Sequence, residues 1–283
     1  MNPTNPSSLI PILKKEWDTL QPLKVEDDKR LLKKFRLEWN YNSNHIEGNT
    51  LTYGETELLL IFGETKGNHN IREYDEMQAH DVAIKHVYDL AREKSELREA
   101  DVRNLNKIIL KEPFWKETIT PDGSPSRRQI FPGEYKQFPN SVRTATGEIF
   151  EYASPIDVPP KMQKLVEFIR MISTNRQDLP GDLAKMHHDF SLIHPFDDGN
   201  GRVARLLVNY VLLRHGFPPV IIKSKDKKNY LSVLHNADVG NLEPFREYMA
   251  REMIWSLETA IKAAKGESID EPGDLEKEID VFV

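Results

Sequence analysis

Twelve contiguous residues, His194-Pro195-Phe196-Asp197-Asp198-Gly199-Asn200-Gly201-Arg202-Val203-Ala204-Arg205, bring a histidine, two adjacent carboxylates, a Gly-Asn-Gly turn and two arginines into one short stretch. Gly199 and Gly201 are free to take positive φ, and Val203, Leu206, Leu207, Tyr210 and Val211 follow at helical spacing. The turn therefore leads into a helix N-terminus, whose free N–H groups and dipole form a nest for an anion. Arg202 and Arg205 project from one side of that helix, and two guanidinium groups beside a nest suit a polyphosphate. Asp198 is placed to hold a hard cation bridging phosphate oxygens, since Mg²⁺ commonly takes one carboxylate plus phosphates and waters. His194 ends the preceding segment and suits a general base near neutral pH. Phe196, between the polar groups, anchors the loop in the core.

The elements that must position this stretch are mostly helical. Apolar residues recur at helical spacing over Asp27–Tyr41, Tyr53–Phe62, Ile71–Glu93, Asp101–Leu110 and, after Pro159-Pro160, from Met162 to Ile172. Leu183, Met186, His187, Phe190 and Ile193 share one face of a helix that begins after Pro180-Gly181-Asp182. A short separate helical segment is predicted over Ser43–Asn49, with Ser43 as its cap and Gly48-Asn49 as its stop. Between Lys111 and Pro160 the composition turns to Pro, Gly and Thr with β-type pieces at Gln129–Phe131 and Ile149–Tyr152. A hairpin is expected across Val142–Tyr152, its turn near Thr146-Gly147. The expected class is all-α with one small β-hairpin.

Composition narrows the function. The chain has 283 residues, 39 basic against 45 acidic, and no cysteine, which removes disulfides, thiolate nucleophiles and sulfur-based zinc sites. Seven of the acids and one base (Lys277) lie from Gly266 onward, so residues 1–265 are balanced at 38 and 38. That balance gives no excess basic charge for nucleic acid. No apolar run approaches the roughly 18 residues needed to cross a bilayer, and the start lacks the pattern of a signal peptide, so a cytoplasmic protein away from membranes is expected. The predicted organisation is an N-terminal helical region at 1–94, a core at 95–265 and an acidic, disordered tail at 266–283.

The twelve-residue stretch resembles the signature of the Fic family, HPFx(D/E)GNGRxxR, at every specified position. Looser matches in the same order are Gly133-Glu134-Tyr135-Lys136, Pro159-Pro160-Lys161-Met162 and His215-Gly216-Phe217-Pro218-Pro219. The resemblance implies a helical Fic fold and a protein adenylyltransferase that moves AMP from ATP to a Tyr, Thr or Ser hydroxyl of a target protein, the chain itself included. On that resemblance His194 takes the proton of the attacking hydroxyl and Asp198 holds Mg²⁺ or Mn²⁺. Gly199, Asn200 and Gly201 cradle the α-phosphate, Arg202 meets the β-phosphate and Arg205 the γ-phosphate. The hairpin tip Thr144-Ala145-Thr146-Gly147 is the flap that holds the target by strand addition, and Tyr230, Leu234 and Asp238 are assigned to the adenosine. A homodimer is compatible with the family.

Ser43-x-x-x-Glu47-Gly48 further resembles the family's inhibitory-helix motif, (S/T)xxxE(G/N). This implies that Glu47 pairs with Arg205 in the place the γ-phosphate needs, with Ser43 fixing the helix. Alternatives weighed at this point are a hydrolase that uses the same site to remove AMP, a silent Fic-type binding or regulatory module, and a metal phosphohydrolase built on His187, His188, His194 and Asp198. Adjacent His187 and His188 point to different helix faces, which disfavours the last.

Overall fold

The segment carrying Ser43 is not a separate helix. In the computed structural model, which describes residues 6–93, 96–120, 123–143, 149–172 and 178–269, α2 runs unbroken from Val25 to Ile46 and ends with Glu47 as its C-cap residue and Gly48 at φ 101°. Ser43 therefore lies inside the last turns and is no N-cap. The run Asn40-Tyr41-Asn42-Ser43-Asn44 has poor helix propensity, but its polar side chains turn back onto the helix. Asn42 Nδ2 donates to the Glu38 carbonyl at 2.8 Å and Asn44 Nδ2 to that of Asn40 at 2.9 Å. Both asparagines and Ser43 are buried, so tertiary packing decides against a break.

The other elements are α1 (Ile10–Thr19), α3 (Tyr53–Glu57), which runs into a π-helical turn at Leu58–Phe62, α4 (Ile71–Arg92), α5 (Glu99–Leu110), α6 (Val158–Met171), α7 (Leu179–Ile193), α8 (Asn200–Arg214), α9 (Lys227–Asp238) and α10 (Glu243–Ala264). α7 starts at Leu179, with Pro180 in its first turn and the Asp178 side chain accepting the Gly181 N–H, four residues earlier than the sequence suggests. α8 is the central helix. Every residue from Arg202 to Leu212 is buried, and α2, α4, α5 and α7 pack around it. A helix buried on all sides is apolar all round unless its polar groups have work, and here Arg202, Arg205 and Asn209 are the polar members.

One apolar cluster runs from Ile10 in α1 to Ile269, so the helices before Lys94 share their core with those after it. A smaller cluster of Leu51, Leu59 and Met77 lies beneath the segment that follows Glu47. The fold is mainly helical, with two small antiparallel strand pairs among the described residues. β3 (Ser141–Arg143) pairs with β4 (Ile149–Glu151), as expected over Val142–Tyr152, while the expected flap tip Thr144–Gly147 lies outside the described residues. The unexpected hairpin pairs β1 (Phe114–Ile119) with β2 (Pro125–Ile130). β1 is exposed along most of its length and β2 is largely polar, with only its last residue, Ile130, buried, so the pair lacks the apolar alternation that marks a strand in sequence. Of the acidic tail, residues 270–283 lie outside the described residues.

Candidate active site

His194 is the C-cap of α7 and takes the left-handed conformation, φ 47° and ψ 60°, with its N–H on the Phe190 carbonyl at 2.9 Å. A non-glycine residue there is held by its surroundings. The four carbonyls flanking it all receive donors from elsewhere. Leu192 O accepts from Ala153 N (3.1 Å), Ile193 O from Lys136 Nζ (3.3 Å), Pro195 O from Lys136 N (2.9 Å) and Phe196 O from Asn200 Nδ2 (2.8 Å). The imidazole itself stacks on the Tyr152 ring, centroids 4.0 Å apart and planes 16° from parallel. Burial, then the Lys136 charge, depress its pKa to about 4, against the opposing pull of the Ser191 carbonyl and Asp198. His194 is thus neutral, and able to accept a proton, at physiological pH.

The signature loop is closed by Asn200, whose Oδ1 accepts from Phe196 N at 3.0 Å while Nδ2 donates to Phe196 O. The side chain of Asn200 is thereby committed to loop geometry. Asn106 of α5 ties this loop to the next one, donating to Asp198 O at 2.8 Å and accepting from Gly133 N at 2.8 Å. Gly199 sits at φ 79°, where a Cβ would lie 2.9 Å from Ile109 Cδ1. Phe196 is 1% exposed and packs on Tyr135 and Phe190.

Glu47 comes to the same helix N-terminus from α2. Its Oε1 accepts from Arg205 Nη2 at 2.6 Å, and Arg205 is also bound by Ser43 through Nε to Oγ and Nη2 to the carbonyl, both 2.9 Å. A Cβ on Gly201 would stand 2.5 Å from Glu47 Oε1, so glycine there is what lets the carboxylate reach the nest. Burial raises the Glu47 pKa, but the charge and hydrogen bond of Arg205, with the charge of Arg202, outweigh it and hold the group ionised. Arg202 has no such partner. It is 3% exposed, its Nε and Nη1 have no hydrogen bond among the described residues, and Glu76 of α4 stands 3.8 Å away. Two buried guanidinium nitrogens without hydrogen bonds are a costly arrangement that an anionic ligand would relieve.

Asp198 Oδ1 accepts the Gly199 N–H at 2.7 Å and Oδ2 binds Lys116 Nζ of β1 at 3.0 Å. Burial opposes ionisation here, and Lys116 with Arg202 overcomes it, lowering the pKa. No cluster of three or more His, Asp or Glu able to hold a metal occurs among the described residues. The lone carboxylate of Asp198 beside the nest is the donor a hard ion can take when phosphates and water complete its shell. An ammonium already favours the oxygen such an ion would use.

Of the residues assigned to adenosine, Tyr230 is 2% exposed and its hydroxyl lies 2.8 Å from His187 Nε2, so it stands within the core behind Arg205. Leu234 is half-buried, and Asp238 at the end of α9 pairs with His188 Nε2 at 3.0 Å. His187 and His188 thus turn to different partners. The site residues that sequence reasoning passed over are Asn106, Lys116, Lys136, Tyr152, Glu76 and Arg128, whose Nη1 binds Asp197 Oδ1 at 2.8 Å. Lys136 lay in a noted motif and Tyr152 at the end of the expected hairpin, and neither was given a role of its own.

The Fic/DOC family pattern matches residues 96–212. A Fic domain containing signaling protein from Bacteroides thetaiotaomicron has a solved structure that is 45% identical, with a TM-score of 0.84 over 93% of this chain and 99% of that one. The solved structure of Fic-1 from Caenorhabditis elegans is 26% identical with a TM-score of 0.73, covering 93% of this chain and 74% of that chain. Among curated proteins, protein adenylyltransferase fic-1 of Caenorhabditis elegans is 30% identical over 85% of this chain, and protein adenylyltransferase Fic of Nematostella vectensis 30% over 79%. The chain spans less than half the length of these curated relatives, 44% and 48%. With a similar chain matched almost end to end and the signature folded around one helix N-terminus, this chain belongs to the Fic/DOC family.

Proposed function

We propose that the chain is a protein adenylyltransferase that moves AMP from ATP to a Tyr, Thr or Ser hydroxyl of a protein, its own chain among the candidate targets, and that Glu47 restrains it. The names of the curated relatives support the activity, and the N-terminus of α8 supports the substrate. In this reading the triphosphate lies along the nest, with the γ-phosphate on Arg205, the β-phosphate on Arg202 and the α-phosphate on the backbone of Gly199, Asn200 and Gly201. The target oxygen attacks the α-phosphorus as the bond from that phosphorus to the bridging oxygen breaks. Pyrophosphate departs, and His194 takes the hydroxyl proton. Bound Mg²⁺ or Mn²⁺, held by Asp198, would supply charge neutralisation at the phosphates. Leu234 and Asp238 are assigned to the adenosine. The β3–β4 hairpin offers an edge for the target backbone.

The observation that carries the reading is the Glu47 carboxylate bound to Arg205 at 2.6 Å. A side-chain anion already occupies a seat that suits a phosphate, so bound ATP must either displace Glu47 or lie misaligned. The experiment is intact mass of wild type, Glu47→Gly and Glu47→Gly/His194→Ala after incubation with ATP and Mg²⁺, alone and with a candidate protein target. The expected result is an added AMP in Glu47→Gly, at least tenfold above wild type, that is lost in the double variant. Equal labelling of all three, or no change in ATP affinity or transfer in Glu47→Gly, would overturn the restraint. Glu47-dependent loss of AMP from an already modified target would reassign the site to AMP removal.

A further inference from the structure

We infer that Lys136 is a positioning residue for His194, its backbone and side-chain nitrogens together holding the two carbonyls on either side of the base. Its N–H donates to Pro195 O at 2.9 Å and its Nζ to Ile193 O at 3.3 Å. Both bonds span the left-handed residue, so neither carbonyl can rotate without losing one. The side chain is 2% exposed, and its ammonium lies 5.7 Å from the centroid of the Tyr152 ring. The other face of the arrangement is completed by Tyr152 stacked on the imidazole. The backbone on either side of Tyr152 is fixed as well, through its own N–H to Asn140 O at 3.3 Å and Ala153 N to Leu192 O. Lys136 therefore closes a bracket joining the end of α7, the signature loop and the foot of the β3–β4 hairpin.

The location suits a cation for a general reason. The last carbonyls of a helix lack intrahelical partners and carry the negative end of its dipole. A lysine satisfies one of them and places a positive charge beside the base. Burial depresses the Lys136 pKa to about 8, with Asp197 opposing, so the group is largely cationic at neutral pH. The groups that act on His194 are Lys136 from the loop before β3, Lys116 from β1, Asp198 from the signature loop and the Ser191 carbonyl from α7. Tyr152 covers its ring, and Asp238 of α9 acts in turn on Tyr152. Removing the Lys136 charge should make His194 more basic and leave its ring less constrained.

The kinetic part of this inference rests on the adenylyl-transfer reading, and the spectroscopic part does not. Histidine side-chain ¹⁵N NMR, with the His194 signal assigned by its loss in His194→Ala, is recorded for the parent and Lys136→Met across pH 3.5–7.5. In Lys136→Met the His194 inflection is expected to rise by about half a pH unit or more. In a Glu47→Gly background, kcat should fall at least tenfold while the KM for ATP stays within twofold. Tyr152→Leu should lower kcat in the same way and Tyr152→Phe should restore it, which supplies a second route should Lys136→Met not fold. An unchanged His194 titration in a folded Lys136→Met protein overturns the inference, as does unchanged kcat in both Lys136→Met and Tyr152→Leu. A shifted His194 titration with no AMP transfer by the Glu47→Gly parent keeps the bracket and sinks the transferase reading alone.

Discussion

The ammonium of Lys116 lies 3.0 Å from Oδ2 of Asp198, the carboxylate oxygen left over once Oδ1 has accepted the Gly199 N–H. Lys116 stands directly opposite Arg128 across the β1–β2 hairpin, and Arg128 binds Asp197 at 2.8 Å. Two like charges facing each other across strands repel, so the consecutive aspartates of the signature loop supply the compensation. The hairpin is tied to the loop by these charges, while Ile130 and its cross-strand partner Phe114 tie its base to the core.

This arrangement makes Lys116 a competitor of any divalent ion that uses Asp198. Lys116 is about half exposed, and an exposed pair of this kind contributes roughly 0.2–1 kcal/mol. Lys116→Met is therefore expected to lower the half-saturating Mn²⁺ concentration about two- to fivefold, as read by electron paramagnetic resonance of Mn²⁺ with ATP and the protein. A rise in that concentration would mean that the lysine orients the carboxylate for the ion instead of competing with it.

How far these features could be read in sequence depends on whether their residues are neighbours in the chain. The base, the carboxylate, the nest and the arginines sit within twelve residues, and local rules about turns and helix N-termini are enough to assemble them. The Glu47 motif was also legible, but only through family resemblance, because 158 residues separate it from Arg205. Lys116, Arg128 and Lys136 were invisible as site residues. Isolated lysines and arginines on polar segments look like solvated surface, and only the fold brings them to the signature loop. The same limit hid the unbroken course of α2, where buried contacts override poor propensity, and the polar β1–β2 hairpin.

Ser43 offers a test of the proposed restraint by Glu47 that leaves the proposed chemistry untouched. Its hydroxyl accepts from Arg205 Nε in a region where both residues are buried. Ser43→Ala leaves a buried charged donor without its acceptor, and such a loss costs about 1–3 kcal/mol. Urea denaturation should show the midpoint falling with the slope unchanged. A midpoint within error of wild type would mean that the Ser43 hydroxyl adds nothing to the hold on Arg205. Because the Ser43 carbonyl and Glu47 still bind the guanidinium, AMP transfer should rise less than in Glu47→Gly.

Acid should loosen the fold well above the range where carboxylates titrate. His80 is fully buried behind the arginine pair, and burial followed by the charges of Arg202 and Arg205 holds its pKa well below 6.5. His187, also buried and bound to the Tyr230 hydroxyl, is pushed by burial and then by Arg205 to about 3. In the unfolded chain both would titrate near 6.5, so below that pH the unfolded state binds protons that the folded state refuses. Stability is therefore complete above about pH 6.5 and falls as pH drops, by up to about 1.4 kcal/mol per pH unit for each histidine. His194, depressed to about 4, contributes in the same direction. Glu47 and Asp198, whose pKa values are lowered from 4.5 and 3.8, add their own loss only below those unfolded values. Urea midpoints between pH 6.5 and 5 thus isolate the histidines. A decline of up to about 3 kcal/mol per pH unit for His80 and His187 together is expected, shallower in His187→Gln. A flat profile across that window would show that these histidines accept protons without opening the core.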